Sequence, residues 1–188
     1  MFDSKKDKPQ YTYDYPMPVV TVDMIVIGMD KDGKPWALLI KRGKEPYKGG
    51  WALPGGHVDV DIDKTLLEAA ERELKEETGI DAKALGLEFH QVGAFGDIDR
   101  DPRGRYVTIA FITVIDGLIN IQHGDDAADA RWVKVDTALS MSLAWDHNDI
   151  LKKIFDEEIV SVCFPDAPEA DDRLKVVNIS DLDKKGNT

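Results

Sequence analysis

Hydrophobic and polar residues fall in blocks along this chain, and the change of period from block to block predicts its elements. The runs "VVTVDMIVIG" and "WALLIKR" are β-branched and aliphatic, and "MDKDGK" between them carries the hairpin signal Asp32-Gly33. They read as two adjacent antiparallel strands. From Thr65 the period lengthens to that of a helix: Leu66, Ala70 and Leu74 recur every four residues, while Leu67 and Ala69 widen the apolar stripe. Thr65 and Glu68 have the spacing of a capping box, and Gly79 is placed to end the helix. Further strands are expected at "HQVGAFG", "YVTIAFITVI" and "ARWVKV", and a second helix from His147 to Glu158 with Asp146 as its N-cap. Strands before and after a helix, without regular alternation, predict an α/β domain in which a mixed sheet carries helices on its faces.

The ends of the chain lack this patterning. Residues 1–18 are charged and aromatic with two late prolines, an irregular arm that orders only where its tyrosines find a surface. Beyond Ile159, "FPDAPEADD" is a Pro-rich acidic linker and "DLDKKGNT" a polar terminus, with "RLKVVNI" between them as one late strand. The expected organisation is therefore an arm (1–18), one domain (19–158) and an acidic C-terminal extension (159–188). No internal repeat shows at solenoid periods.

Composition narrows the function classes. A chain of 188 residues that is 43% apolar can bury one substantial core. Its 36 acidic against 24 basic residues give a formal charge of −12, which discourages non-specific binding to nucleic acid or anionic membrane. An anionic substrate then needs a local cationic device, such as a metal. No apolar run approaches the roughly 20 residues of a membrane span, and "MFDSKKDKPQ" lacks the apolar stretch of a secretory signal, so a soluble, cytoplasmic protein is expected. Cys163 is the only cysteine; it allows no intrachain disulfide and no cysteine metal cluster, and reads as a small apolar residue.

The segment "RELKEETG", Arg72 to Gly79, is where chemistry enters. Glu73 and Glu77 are four residues apart and Glu73 and Glu76 three, so a helix brings all three carboxylates to one face, where they repel. A solvated helix face is the ordinary explanation of an acidic cluster. It fits poorly here, because Ala70 and Leu74 dock the same helix behind a loop rich in glycine and aspartate. A hard divalent cation prefers oxygen ligands and takes one or two carboxylates plus substrate phosphates, so the triad is a reasonable cradle for Mg²⁺ or Mn²⁺.

The stretch "GGHVDVDIDKTLLEAAERELKEETGI" resembles the signature of the Nudix hydrolases, matching it residue for residue from Arg72 to Ile80. That resemblance implies an α/β/α sandwich with a mixed sheet. It implies Glu73, Glu76 and Glu77 as metal ligands, Arg72 as the residue that orients them by ion pairing, and the carbonyl of Gly56 as a further oxygen ligand. The first half departs from the family pattern: seven residues, not five, follow Gly56, and Lys64 stands at the helix-start position of the first glutamate. Lys64 cannot replace a carboxylate, but the longer loop lets Asp61 or Asp63 reach back to Arg72.

The resemblance extends through "LLIKR", "WALPGG" and "DDAADARW". The loop "GDIDRDPRGRY" together with "AWDHNDIL" is similar to the ADP-ribose pyrophosphatase branch of the family. It implies metal-dependent cleavage of a nucleoside diphosphate linked to another group, ADP-ribose giving AMP and ribose 5-phosphate, by a homodimer. A ligand-sensing Nudix domain, or an enzyme acting on oxidised nucleotides or capped RNA, is the alternative. Arg42, Arg103 and Arg105 are candidate phosphate-binding residues, with Arg100 adding local positive charge; the plain reading of their loop is a solvated turn organised by Pro102 and Gly104. Glu77 is one candidate for the general base, and Asp125 or Asp126 the other. Trp51 reads as a core or loop anchor, and His147 as structural, without a catalytic role.

Overall fold

In the computed structural model, residues 12–121 and 127–156 are described. The elements are β1 (Val19–Met29), β2 (Pro35–Arg42), β3 (Trp51–Ala52), β4 (Gly55–His57), α1 (Leu66–Thr78), α2 (Ala82–Leu85), β5 (His90–Phe95), β6 (Tyr106–Asp116), β7 (Ala127–Lys134), α3 (Val135–Ser140) and α4 (His147–Asp156). One seven-stranded sheet runs β3-β2-β1-β6-β5, with β4 added to β1 and β7 to β2. The β1–β6 pair is parallel and the others antiparallel, so the expected mixed sheet is present.

Side-chain alternation explains why the strands read as continuous apolar runs. Along β1, Ile25, Ile27 and Met29 join one core while Val22, Met24 and Val26 join the other. In β2, Ala37 and Leu39 face the first core and Leu38 the second; in β6, Ala110 and Ile112 oppose Phe111 and Ile115. The first core is covered by α3 and α4 through Val135, Ala138, Ile150, Leu151 and Ile154, the second by α1 through Ala69, Ala70 and Leu74. A strand covered on both faces has no polar side to show.

The local signals act much as expected. Asp30 Oδ1 accepts the amides of Asp32 and Lys34, and Gly33 takes φ 71°, closing the β1–β2 hairpin. The hydroxyl of Thr65 accepts the Glu68 amide and Gly79 caps α1 in the left-handed conformation. The other half of the capping box is displaced by one residue, because the Glu68 carboxylate accepts from the Lys64 amide. Asp146 does precede α4, with its carbonyl accepting from Asp149 and Ile150, but its carboxylate holds Arg100. Four short elements were not expected: β3, β4, α2 and α3. α2 carries local caps of its own in Asp81 and Gly86, whereas β3 and β4 are too short to stand alone and are held by pairing with β2 and with residues 21–23 of β1.

That pairing positions the site. β4 takes the edge of β1 at Thr21 to Asp23 and β2 takes the same edge at Ile27 to Met29, so a cleft opens where the partners change. Residues 12–18 have no helix or strand, and Tyr13 and Tyr15 are exposed. Cys163, the late strand "RLKVVNI", the extension 159–188 and the pair Asp125–Asp126 lie outside the described residues. Among the described residues no helix is long and apolar enough to cross a membrane.

Candidate active site

The cleft has a volume of about 710 Å³, and one wall is the face of α1 carrying Glu73, Glu76 and Glu77. Glu77 is 9% exposed, and its Oε2 accepts the Gly55 amide at 2.9 Å. Gly55 has φ 155°, and a Cβ there would strike the Val22 carbonyl; at Gly56 a Cβ would come within 2.6 Å of the Glu73 carboxylate. Glycine is required at both because backbone and carboxylates approach so closely.

Arg72 organises the face. Its Nε and Nη2 grip Asp63 in a bidentate pair at 2.9 and 2.8 Å, Nη1 donates to Glu73 at 2.8 Å and Glu76 at 3.1 Å, and Nη2 also donates to the His57 carbonyl. Asp63, its side chain 3% exposed, thus takes the place left by Lys64. The Arg72 donors go to Asp63, Glu73, Glu76 and the His57 carbonyl, while the Asp61 amide donates to Asp59 within the loop. The Asp63 hydrogen bonds raise the Arg72 pKa above its ordinary value, and those from Arg72 depress that of Asp63.

Burial raises the pKa of the Glu73 and Glu77 carboxyls. Glu77 is pushed up to about 8, chiefly by desolvation and further by Glu73 and Asp23, against the opposing pull of the Gly55 amide. Glu73 is raised by burial too, although Arg72 opposes it. A buried carboxyl pushed up to about 8, beside a second one raised in the same direction, marks a place short of positive charge. Among the described residues no three His, Cys, Asp or Glu side chains converge as a ready-made metal cage. Mg²⁺ seldom uses one; it keeps waters and takes one or two carboxylates plus substrate phosphates. The hard oxygen donors of Glu73 and Glu77 fit that demand.

The opposite wall is cationic and aromatic. Arg42 donates to the carbonyls of Pro46 and Lys44, and its guanidinium lies 4.2 Å from the Trp145 ring centre. Arg103 is held by Asp101 at 2.7 and 3.0 Å and lies over Tyr106 at 4.5 Å. Burial, then the charge of Arg103, lowers the Arg42 pKa. Trp145 has φ 52°, the left-handed region that few large side chains occupy and that clusters at functional sites.

The floor is a buried polar network. Asp23 lies 3.4 Å from Arg100, which pairs bidentately with Asp146, and 3.5 Å from His147 Nε2. The loop read as a solvated turn is therefore anchored, with Arg100 and Asp101 buried. Arg105 is exposed and is not among the residues lining the cleft, so the geometry does not bring it to the site; its carbonyl accepts the Val19 amide. Trp51 packs on the first core away from the cleft, under Arg131, and its carbonyl receives the Ala144 amide. Sequence reasoning missed Asp23, Asp101 and Trp145. A signal existed for Asp23, the one charge inside "VVTVDMIVIG".

A mixed sheet between helices, with a glycine turn set against glutamates of α1, defines a Nudix fold and site, and the chain belongs to the Nudix hydrolase family: it matches the NUDIX domain over residues 17–171. It is 42% identical over 149 residues to the ADP-ribose pyrophosphatase of Methanocaldococcus jannaschii, covering 79% of each chain. It is 41% identical over 142 residues to the ADPR responsive transcriptional repressor NtrR of Acinetobacter baylyi, covering 76% of this chain but only 55% of the repressor, about half its length. The solved Nudix domain of Shewanella oneidensis NrtR with ADP ribose shares the fold, at a TM-score of 0.71 and 24% identity over 84% of this chain and 99% of that one.

Proposed function

We propose that this protein hydrolyses the diphosphate bridge of ADP-ribose to AMP and ribose 5-phosphate, using Mg²⁺ or Mn²⁺. The observation that carries the reading is the opposition, across one cleft, of the α1 carboxylates to the guanidinium groups of Arg42 and Arg103. The likeness to an ADP-ribose pyrophosphatase supports the choice of substrate.

Glu73, Glu76 and Glu77, with the Gly56 carbonyl, are the groups that would hold divalent cations; bound there, such ions supply Lewis-acid charge to diphosphate oxygens and make a bound water more acidic. Arg42 and Arg103 supply charge-assisted hydrogen bonds to phosphate oxygens, Arg103 exchanging Asp101 for the substrate. Water oxygen bonds to one phosphorus as the bridging P–O bond breaks, and the other phosphate departs with the electron pair. The water proton passes to a carboxylate. Glu77 is one candidate where it is not fully engaged with metal; Asp125 or Asp126 is the other. Arg72 keeps the carboxylates aligned through Asp63. The proposal includes the domain bounds 19–158, a cytoplasmic setting and a homodimer, the last checked by sedimentation.

The test is direct: purified protein with Mg²⁺ converts ADP-ribose to the two monophosphates, and Glu76→Gln or Glu77→Gln loses most turnover while staying folded. Unchanged turnover in both variants refutes the assignment. A second reading, a sensor that binds an NAD-derived nucleotide without turnover, is favoured by the likeness to an ADPR responsive repressor. Calorimetry with ADP-ribose, with and without Mg²⁺, separates the two, since heat of binding without product identifies the sensor.

A further inference from the structure

His147 has no part in the hydrolytic reading, yet it is 2% exposed at the floor of the cleft. Its Nδ1 accepts the Leu53 amide at 2.9 Å, so that nitrogen carries no proton and the ring hydrogen sits on Nε2, facing Asp23 Oδ1. Three consecutive residues are then tied to three different elements. The Leu53 amide binds α4 through His147, the Pro54 carbonyl accepts the Met24 amide of β1 at 2.8 Å, and the Gly55 amide binds Glu77 of α1 at 2.9 Å.

We propose that His147 is a positioning residue: by clamping Leu53 it fixes the Leu53–Gly55 segment, and so delivers the Gly55 amide to Glu77 and sets where that carboxylate points. The inference rests on the hydrolytic reading of Glu77. The ring is itself held on two sides, by Trp145 at 5.1 Å between centres and by the Asp23–Arg100–Asp146 network, whose last member is its neighbour in the chain. Leu53 and Pro54 are buried, so an amide released there loses its partner in a largely desolvated setting. Its relief is a backbone shift, and such a shift carries Gly55 with it.

Two substitutions separate positioning from mere filling of the core. Asparagine places its amide oxygen where Nδ1 lies and keeps the acceptor; glutamine reaches toward the Nε2 position and loses it. In the full chain, His147→Gln is expected to lower kcat for ADP-ribose with Mg²⁺ by about 10-fold to 100-fold with KM within about 3-fold, the signature of a displaced reacting group. Amide hydrogen exchange at Leu53 and Gly55, followed by NMR without metal, should speed up about 10-fold or more in the same variant. His147→Asn should restore kcat to within about 3-fold of the parent, and restore protection at both amides. Equal losses in the two variants, or unchanged Gly55 exchange in His147→Gln, overturn the proposal. Should His147→Gln fail to fold, His147→Asn decides alone: folded protein with kcat down by about 10-fold or more overturns it, and near-parental kcat and Gly55 protection support it. A parent protein that leaves ADP-ribose intact sinks the hydrolytic reading instead, while Gly55 exchange still settles the positioning role.

Discussion

Glu77→Gln removes a titrating proton while keeping the shape of the side chain and its acceptor for the Gly55 amide. In the metal-free protein Glu77 is pushed up to about 8 from an ordinary value of 4.5. Between those values the folded chain holds a proton that the unfolded chain has released, so stability from this group is complete below the lower value and is lost as pH rises through the higher one. At pH 7 the cost of keeping the native carboxyl is of the order of 3 kcal/mol, at 1.36 kcal/mol for each unit between 4.5 and 7. Glutamine never meets that cost. For a domain of this size about 3 kcal/mol corresponds to a rise in Tm of roughly 6–12 °C.

The assay is thermal unfolding of both proteins in EDTA from pH 5 to 8, followed by the same scans with Mg²⁺. The difference between the two proteins cancels the histidines, which titrate in both. In EDTA, Glu77→Gln should be the more stable, by a margin that widens toward pH 8. With Mg²⁺ the parent should gain more than the variant, and turnover of the variant should be mostly gone. A variant no more stable than its parent at pH 7.5 without metal would show that burial of Glu77 does not carry the strain assigned to it.

Three further outcomes are expected. Asp63→Ala unties the Arg72 fork and should lower turnover by about 10-fold, whereas Asp61→Ala and Lys64→Glu should leave it within about 2-fold, all read from initial rates with ADP-ribose. Arg103→Ala should raise KM by roughly 10-fold while kcat falls less, since one charge-assisted phosphate contact is lost; an unchanged KM removes Arg103 from the binding wall. Leu74→Ala, at the fully buried centre of the α1 contact, should cost about 2–5 kcal/mol in urea unfolding.

Period and turn chemistry, both local, are why the main strands, the hairpin at Asp32-Gly33 and helix α1 with its caps were legible without coordinates. The glutamate spacing, likewise, was enough to put Glu73, Glu76 and Glu77 on one face, because 3.6 residues per turn leaves no other arrangement. Whether Asp61 or Asp63 meets Arg72 was not legible, since both lie in a loop whose course depends on contacts with Arg72 itself. Asp23, Asp101, Trp145 and His147 come to the cleft from β1, the loop before β6 and the start of α4, stretches far apart in the chain. Arg105, close in sequence to Arg103, stays outside because the loop turns between them. Amino-acid order by itself determined the apolar faces, the caps and the acidic patch, all set by contacts within a few residues. Only the tertiary structure decided which distant charges share that patch, because loop paths and buried ion pairs are settled by desolvation and packing across the whole molecule.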